Sequence, residues 1–450
     1  MENIISSRHK CWYSDKEVYY SFPNNWEIQV FSHENTRKLE EKEIYSRIQN
    51  PIGCQPLSSQ LRPGMKVLVI CDDISRPTRS DLILPIVLDI LGDVGIGLKD
   101  VSILIASGSH APMSKYEKIL KFGNNIIQDI RIMDHDYRGA NIYVGDTRFG
   151  TPVYINKHLM ESDFVLGIGG IYPHNPAGFG GGAKLILGVC GDKTIKYFHF
   201  KRNGVEIGGS ISNEFREDIL DASRLVGINF IINNLLNKDR DIINIFAGDV
   251  QSAYAASIEK ARKIYGVPNP SDFPFDLVVA DAYPFDSSFA FTRKGWWPVR
   301  YCHKHCFKLI ISAIPNGIGS HPLFPPIPNR FQRVIKLYNE YQTSSIKNFI
   351  QHSIIEQIQR GSKKAIRRSI KKIKNRIKYA KTEDHEVANT SHSSTALLHS
   401  LPDNFSNESL PFSFHFTNSF EDYIDNLRAL TDNRSIKVGF YQTSSLTFPK

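Results

Sequence analysis

Apolar and polar positions along this chain change period in a way that lays out alternating strands and helices. Lys66-Val67-Leu68-Val69-Ile70-Cys71 is a continuous apolar run, which predicts a strand buried on both faces. A polar loop follows, then an apolar helix from Asp81 to Leu91. Val101 to Ala106 predicts the next strand, and a helix starts near Ser114. Ile130 to Met133, Phe164 to Ile168, Asn229 to Leu235 and Ile242 to Ala247 are further strands. Val250 to Tyr265 reads as a helix and Leu277 to Ala280 as a strand. The alternation predicts an α/β fold of two domains, each built on a mostly parallel sheet with flanking helices. An active-site cleft is expected between them.

The punctuation sets the expected boundaries. Pro268, Pro270 and Pro274 mark a hinge, so residues 1–270 are expected as an N-terminal cofactor-binding domain. Residues 271–430 are expected as a C-terminal α/β domain. Within it, Ile366, Ile370, Ile373 and Ile377 form one apolar face of a basic helix over 360–381. Ser, Asn, His and Thr dominate 382–411, which reads as a polar linker. Residues 431–450 are expected to return to the body as a strand, Ile436 to Tyr441.

Charge alters this picture less than its total suggests. The 450 residues carry a net charge of +9, but eleven Lys and Arg fall between Arg360 and Lys381 without one acid. The remainder is near neutral, which argues against a polyanionic partner for the whole protein. No apolar run is long enough to span a membrane, and Met1 to Ser6 has no signal-peptide pattern. The six scattered cysteines favour a reducing, cytoplasmic setting over a disulfide framework.

The chemistry concentrates in Pro173-His174-Asn175-Pro176-Ala177-Gly178-Phe179-Gly180-Gly181-Gly182, followed by Ala183 and Lys184. Gly180, Gly181 and Gly182 let the backbone approach a bulky ligand, and N–H groups in such a loop can cradle a phosphate. Lys184 then reaches the ligand as a charge, a donor or a nucleophile. It is not a P-loop, because Leu185 stands where Ser or Thr is needed. Two more strand-end loops carry polar residues, Asp72 to Pro77 and Gly108-Ser109-His110. Ligands of open α/β sheets sit at the carboxyl ends of strands, so these loops are expected to converge. Cys302-His303-Lys304-His305-Cys306 lacks a zinc-site spacing and is expected to lead into a core strand.

Together these motifs resemble the nickel-dependent lactate racemase family and its 2-hydroxy acid racemase and epimerase relatives. Asp73-Ile74-Ser75-Arg76-Pro77 resembles the family's Asp-x-Thr/Ser-Arg-Pro loop, Gly108-Ser109-His110 its Gly-x-His turn, and Pro173 through Lys184 its signature segment. His199, Phe246-Ala247-Gly248-Asp249, Tyr283-Pro284, Asp286 and Lys294 match further family segments. The resemblance spans roughly residues 45 to 320.

It implies an isomerase that racemises or epimerises a 2-hydroxy acid by reversible hydride transfer. The implied cofactor is a nickel-pincer nucleotide, the Ni(II) complex of pyridinium-3-thioamide-5-thiocarboxylic acid mononucleotide. Lys184 would attach it, His199 would ligate nickel, and Asp73, Ser75 and Gly180 to Gly182 would contact it. His110 and His174 would be paired general bases, Arg76 and Lys294 the carboxylate contacts. Cofactor-building enzymes are implied partners. The chain departs from the pattern at Ala290 and Phe291, where the family has Tyr-Gln, and at Ala111, where it has Arg. A substrate of more apolar or aromatic character than lactate, or one bound differently, is therefore expected. The rival reading is a non-catalytic or cofactor-binding protein whose helix 360–381 binds an anionic membrane, nucleic acid or a protein partner.

Overall fold

The structure is a computed structural model. It describes residues 3–33, 36–204, 208–210, 213–316, 396–400, 415–417 and 420–450. Two six-stranded sheets organise it. The first runs in the order Ile242–Gly248, Phe230–Leu236, Phe164–Gly170, Val67–Asp72, Val101–Ala106, Arg131–Asp134. Five of these strands are parallel, and Ile242–Gly248 is an antiparallel edge.

Strand alternation splits the first core into two layers. Val67, Val69 and Cys71 pack with Ile83, Val87 and Ile90 of the helix Ser80–Asp93. Leu68 and Ile70, pointing the other way, pack with Leu185, Ile186, Phe198 and Ile219. These last residues belong to the turn Gly182–Gly188 and the helices Asp192–Lys201 and Glu214–Val226. The glycine-rich loop is thereby fixed against the central strand. Helix starts follow local chemistry: Asp249 Oδ1 accepts the Ser252 N–H at 2.8 Å, and Ser114 with Glu117 closes a capping box.

The second sheet has the order His415–Thr417, Ala396–Ser400, Phe307–Ser312, Leu277–Asp281, Lys437–Tyr441, Glu27–Phe31. Its last four strands are parallel and its first two join antiparallel. The mixed α/β class with mostly parallel sheets is as expected. Three placements differ from the sequence reading. Glu27–Phe31 lies in the second sheet, although residues 1–270 were expected to form one unit; its partner Lys437–Tyr441 is some four hundred residues away in the chain. The hairpin Asn3–His9 with Lys16–Phe22 puts Tyr20 and Phe22 into the same core as Leu277 and Val438. Ala396–Ser400, inside the expected linker 382–411, pairs with Phe307–Ser312. A short apolar run was hidden there by polar flanks. The basic helix 360–381 and the rest of the linker lie outside the described residues.

Phe307–Ser312 follows the Cys302 to Cys306 segment as a buried strand, and the Cys306 thiol donates to the Phe275 carbonyl at 2.8 Å. All six cysteines are free thiols. Among the described residues, no helix is long and apolar enough to cross a membrane.

Candidate active site

Phe164–Gly170, Val67–Asp72 and Val101–Ala106 are neighbours at the centre of the first sheet. Their carboxyl ends release the three expected loops side by side. Asp73 and Arg76 leave the middle strand, His110 the strand on one side and His174 the strand on the other.

Asp73 orients His110. Its Oδ2 lies 2.6 Å from His110 Nδ1, and its Oδ1 accepts the Ser75 hydroxyl at 2.5 Å and the Ser75 N–H at 3.2 Å. Burial alone would raise the Asp73 carboxyl. The His110 ring, Arg76 and the Ser75 hydroxyl overcome that and hold it well below the usual range. Ser75, expected at the cofactor, spends its proton on Asp73. Asp72 pairs with Lys121 at 2.7 Å, and Lys121 Nζ also donates to the carbonyls of Arg76 (3.0 Å) and Thr78 (2.9 Å). One buried ammonium thus pins the loop that carries Asp73 and Arg76.

The loop after Leu277–Asp281 of the second sheet closes over this group. The Phe291 ring centroid is 5.3 Å from that of His110 and 6.0 Å from the Arg76 guanidinium. The Lys294 ammonium is 5.2 Å from the Phe285 ring and 5.9 Å from the Tyr172 ring. Arg76 Nη1 is buried and has no hydrogen-bond partner among the described residues, and the same holds for His174 Nδ1.

Positive charge dominates. Burial, then Arg76 and Arg216, pulls the Lys184 amine down to about 7 against the pull of Asp72 and Asp73. Burial, Arg76 and Lys184 push Lys294 well below its ordinary value. His174 is driven far down by burial and then by Lys184, Lys294, Arg76 and His199, so its ring is neutral near pH 7. His199 is lowered by burial, partly offset by its bond to the Ile195 carbonyl. That bond, 2.8 Å from Nδ1, assigns the ring proton to Nδ1 and leaves the Nε2 lone pair to act as an acceptor or ligand. A cluster of this kind favours anions and neutral-imidazole chemistry.

Two of the three glycine N–H groups are already taken within the protein. The Gly180 N–H donates to the Tyr172 carbonyl at 2.8 Å, and the Gly182 N–H to Asn233 Oδ1 at 2.9 Å. Neither is left for a phosphate. A Cβ at Gly181 would meet Ile171 at 2.5 Å, and one at Gly182 would meet Tyr254 at 2.6 Å, both at positive φ (70° and 56°). Glycine is required here by packing and backbone sign, not by an open cradle.

Sequence reasoning missed Trp12. Its Nε1 donates to the Arg76 carbonyl at 3.1 Å, and its ring lies 4.0 Å from the Arg240 guanidinium and 4.9 Å from Lys121 Nζ. Lys10, Trp12 and Ser14 all hold positive φ, and Asp286 Oδ2 accepts the Lys10 N–H at 2.7 Å. No pattern in this aromatic, polar stretch announces a strap between the two sheets' loops.

Residues 13–206 match the family described as the lactate racemase N-terminal domain. The lactate racemase of Lactiplantibacillus plantarum is 30% identical over 284 residues, covering 61% of this chain and 66% of that protein. The lactate racemase of Thermoanaerobacterium thermosaccharolyticum is 30% identical over 267 residues, covering 57% and 62%. The matches thus span a little under two thirds of either relative. The structure of the lactate racemase apoprotein from T. thermosaccharolyticum superposes with a TM-score of 0.58 at 25% identity, over 71% of this chain and 76% of that one.

Proposed function

We propose, from the match of residues 13–206 to the lactate racemase N-terminal domain family, that this chain is an isomerase that racemises or epimerises a 2-hydroxy acid other than lactate. The observation that carries the reading is the meeting of Arg76, His110, His174, Lys184, His199 and Lys294 around the ends of three adjacent strands. The implied cofactor is the nickel-pincer nucleotide, made by dedicated cofactor-building enzymes and supplying, when bound, a hydride acceptor for the α-carbon. Two features fit it. Lys184 offers a buried amine near half-neutral at pH 7, suited to a covalent link, and His199 presents Nε2 as a nitrogen ligand.

The chain's own residues then divide the work. Arg76 takes the substrate carboxylate on its unpartnered edge, with Lys294 as a second positive contact. His110, aligned by Asp73, and neutral His174 each take the hydroxyl proton from one enantiomer and return it to the other. With Nδ1 committed to Asp73, Nε2 of His110 is the atom that accepts. In His174 it is Nδ1. The Phe285, Phe291 and Tyr172 rings exclude water around them.

Phe291 argues against lactate. It replaces a polar family position and lies against both Arg76 and His110, so the substrate's side chain meets an aromatic wall. Burying a phenyl group there is worth roughly 1.5–3 kcal/mol, about ten- to a hundredfold in kcat/KM. Cofactor-loaded protein is expected to convert single enantiomers of phenyllactate at least about tenfold more efficiently than lactate, followed by chiral chromatography. Phe291→Ala should shrink that preference. Failure of adduct-bearing protein to invert any 2-hydroxy acid in a broad panel would overturn the racemase reading.

A further inference from the structure

Arg216 stands in the first turn of the helix Glu214–Val226 and is only 6% exposed. Among the described residues no carboxylate pairs with it. Its guanidinium lies 3.5 Å from the Tyr254 ring centroid, and Nη2 donates to the Gly181 carbonyl at 3.1 Å. Among the described residues Nη1 is buried without a partner. A guanidinium in that state is costly unless something anionic completes it.

Two further donors are stranded beside it. Asn213 caps the same helix, its Oδ1 accepting the Arg216 N–H at 2.9 Å, while Nδ2 is buried with no partner among the described residues. Asn233, on the strand Phe230–Leu236, accepts the Gly182 N–H through Oδ1 and likewise leaves Nδ2 unpartnered. All three donors are thus tied by short hydrogen-bond paths to the Gly181–Gly182 turn. Lys184 is two residues further on. The positive end of a thirteen-residue helix adds to the same field. Several donors and one fixed charge, with no carboxylate paired to that charge among the described residues, match a dianion with three terminal oxygens better than a planar carboxylate.

We propose that Arg216, with Asn213 and Asn233, forms the phosphate subsite for a pyridine mononucleotide whose ring end is fixed at Lys184. The proposal rests on the cofactor reading above and replaces the glycine N–H groups as the phosphate contact. Arg216 also acts on the amine itself: it is one of the charges that hold Lys184 near neutrality. A phosphate seated on Arg216 would therefore lower the repulsion felt by Lys184 once the nucleotide has docked.

The test uses the unloaded 450-residue chain in titration calorimetry with nicotinic acid mononucleotide, its dephosphorylated riboside and inorganic phosphate. The mononucleotide is expected to bind about tenfold or more tightly than the riboside, the worth of a charge-assisted contact. Arg216→Gln should bring that ratio close to one. Equal binding of mononucleotide and riboside by the wild type, a measurement that needs no variant, overturns the proposal. So does an undiminished ratio in folded Arg216→Gln. Inorganic phosphate binding as tightly as the mononucleotide would mean a free-ion site and would also overturn it. Intact mass separates the two claims. An adduct on Lys184 without phosphate discrimination sinks the subsite alone, whereas discrimination without an adduct sinks the cofactor reading and leaves the subsite standing.

Discussion

His174→Asn is expected to slow racemisation about 10²–10⁴-fold while the protein still carries its Lys184 adduct. His174 is 8% exposed, and burial, followed by Lys184, Lys294, Arg76 and His199 around it, keeps the ring neutral. A neutral ring can take the substrate's hydroxyl proton. Asparagine fills similar space and hydrogen-bonds, but it cannot accept a proton at neutral pH. The adduct, read by intact mass, serves as the control for folding and loading. A rate within twofold of wild type would remove His174 from the proton path, and loss of the adduct would move it to the cofactor's support.

Lys121→Met is expected to cost about 3–5 kcal/mol of stability, the largest effect outside the catalytic residues. The Lys121 side chain is fully buried and Asp72 nearly so. Removing the ammonium leaves a carboxylate without its counter-charge and takes one of the donors from each of the Arg76 and Thr78 carbonyls, both in the loop that aims Asp73 and Arg76. Urea unfolding followed by circular dichroism measures this. The double replacement Lys121→Met with Asp72→Leu should recover much of the loss, because no unpaired charge remains. A loss below about 1 kcal/mol in the single variant would show that solvent reaches Asp72 and that the loop is held otherwise.

Much of the fold was legible because its central strands are apolar on both faces. Val67–Asp72, Val101–Ala106 and the helix Val250–Tyr265 emerge within a residue or two of where periodicity put them. Glu27–Phe31 was not legible. It is a half-exposed edge strand whose pattern has no strong period, and what fixes it is pairing with the far end of the chain. Ala396–Ser400 was lost to its composition.

The candidate site divides along a similar line. Loop residues that follow buried strands could be placed from topology, so the convergence of Asp73, His110 and His174 was foreseeable. Arg216 and Trp12 were not. Arg216 sits in an ordinary amphipathic helix, and only its missing carboxylate partner marks it. Trp12 matters through a backbone carbonyl, which leaves no trace in a sequence. The glycine run allows two physical readings: a run that permits a phosphate cradle equally permits tight packing beneath Tyr172, Ile171 and Tyr254.

The central claim is that Lys184 carries a pyridine-derived nickel cofactor in a racemase site. Its most direct test is the intact mass of the denatured chain, produced alongside the cofactor-building enzymes, with Lys184→Ala in parallel. The account predicts an added mass of pincer-nucleotide size on the wild-type chain and none on Lys184→Ala. An unmodified wild-type chain, in cells where a lactate racemase acquires its adduct, would contradict it.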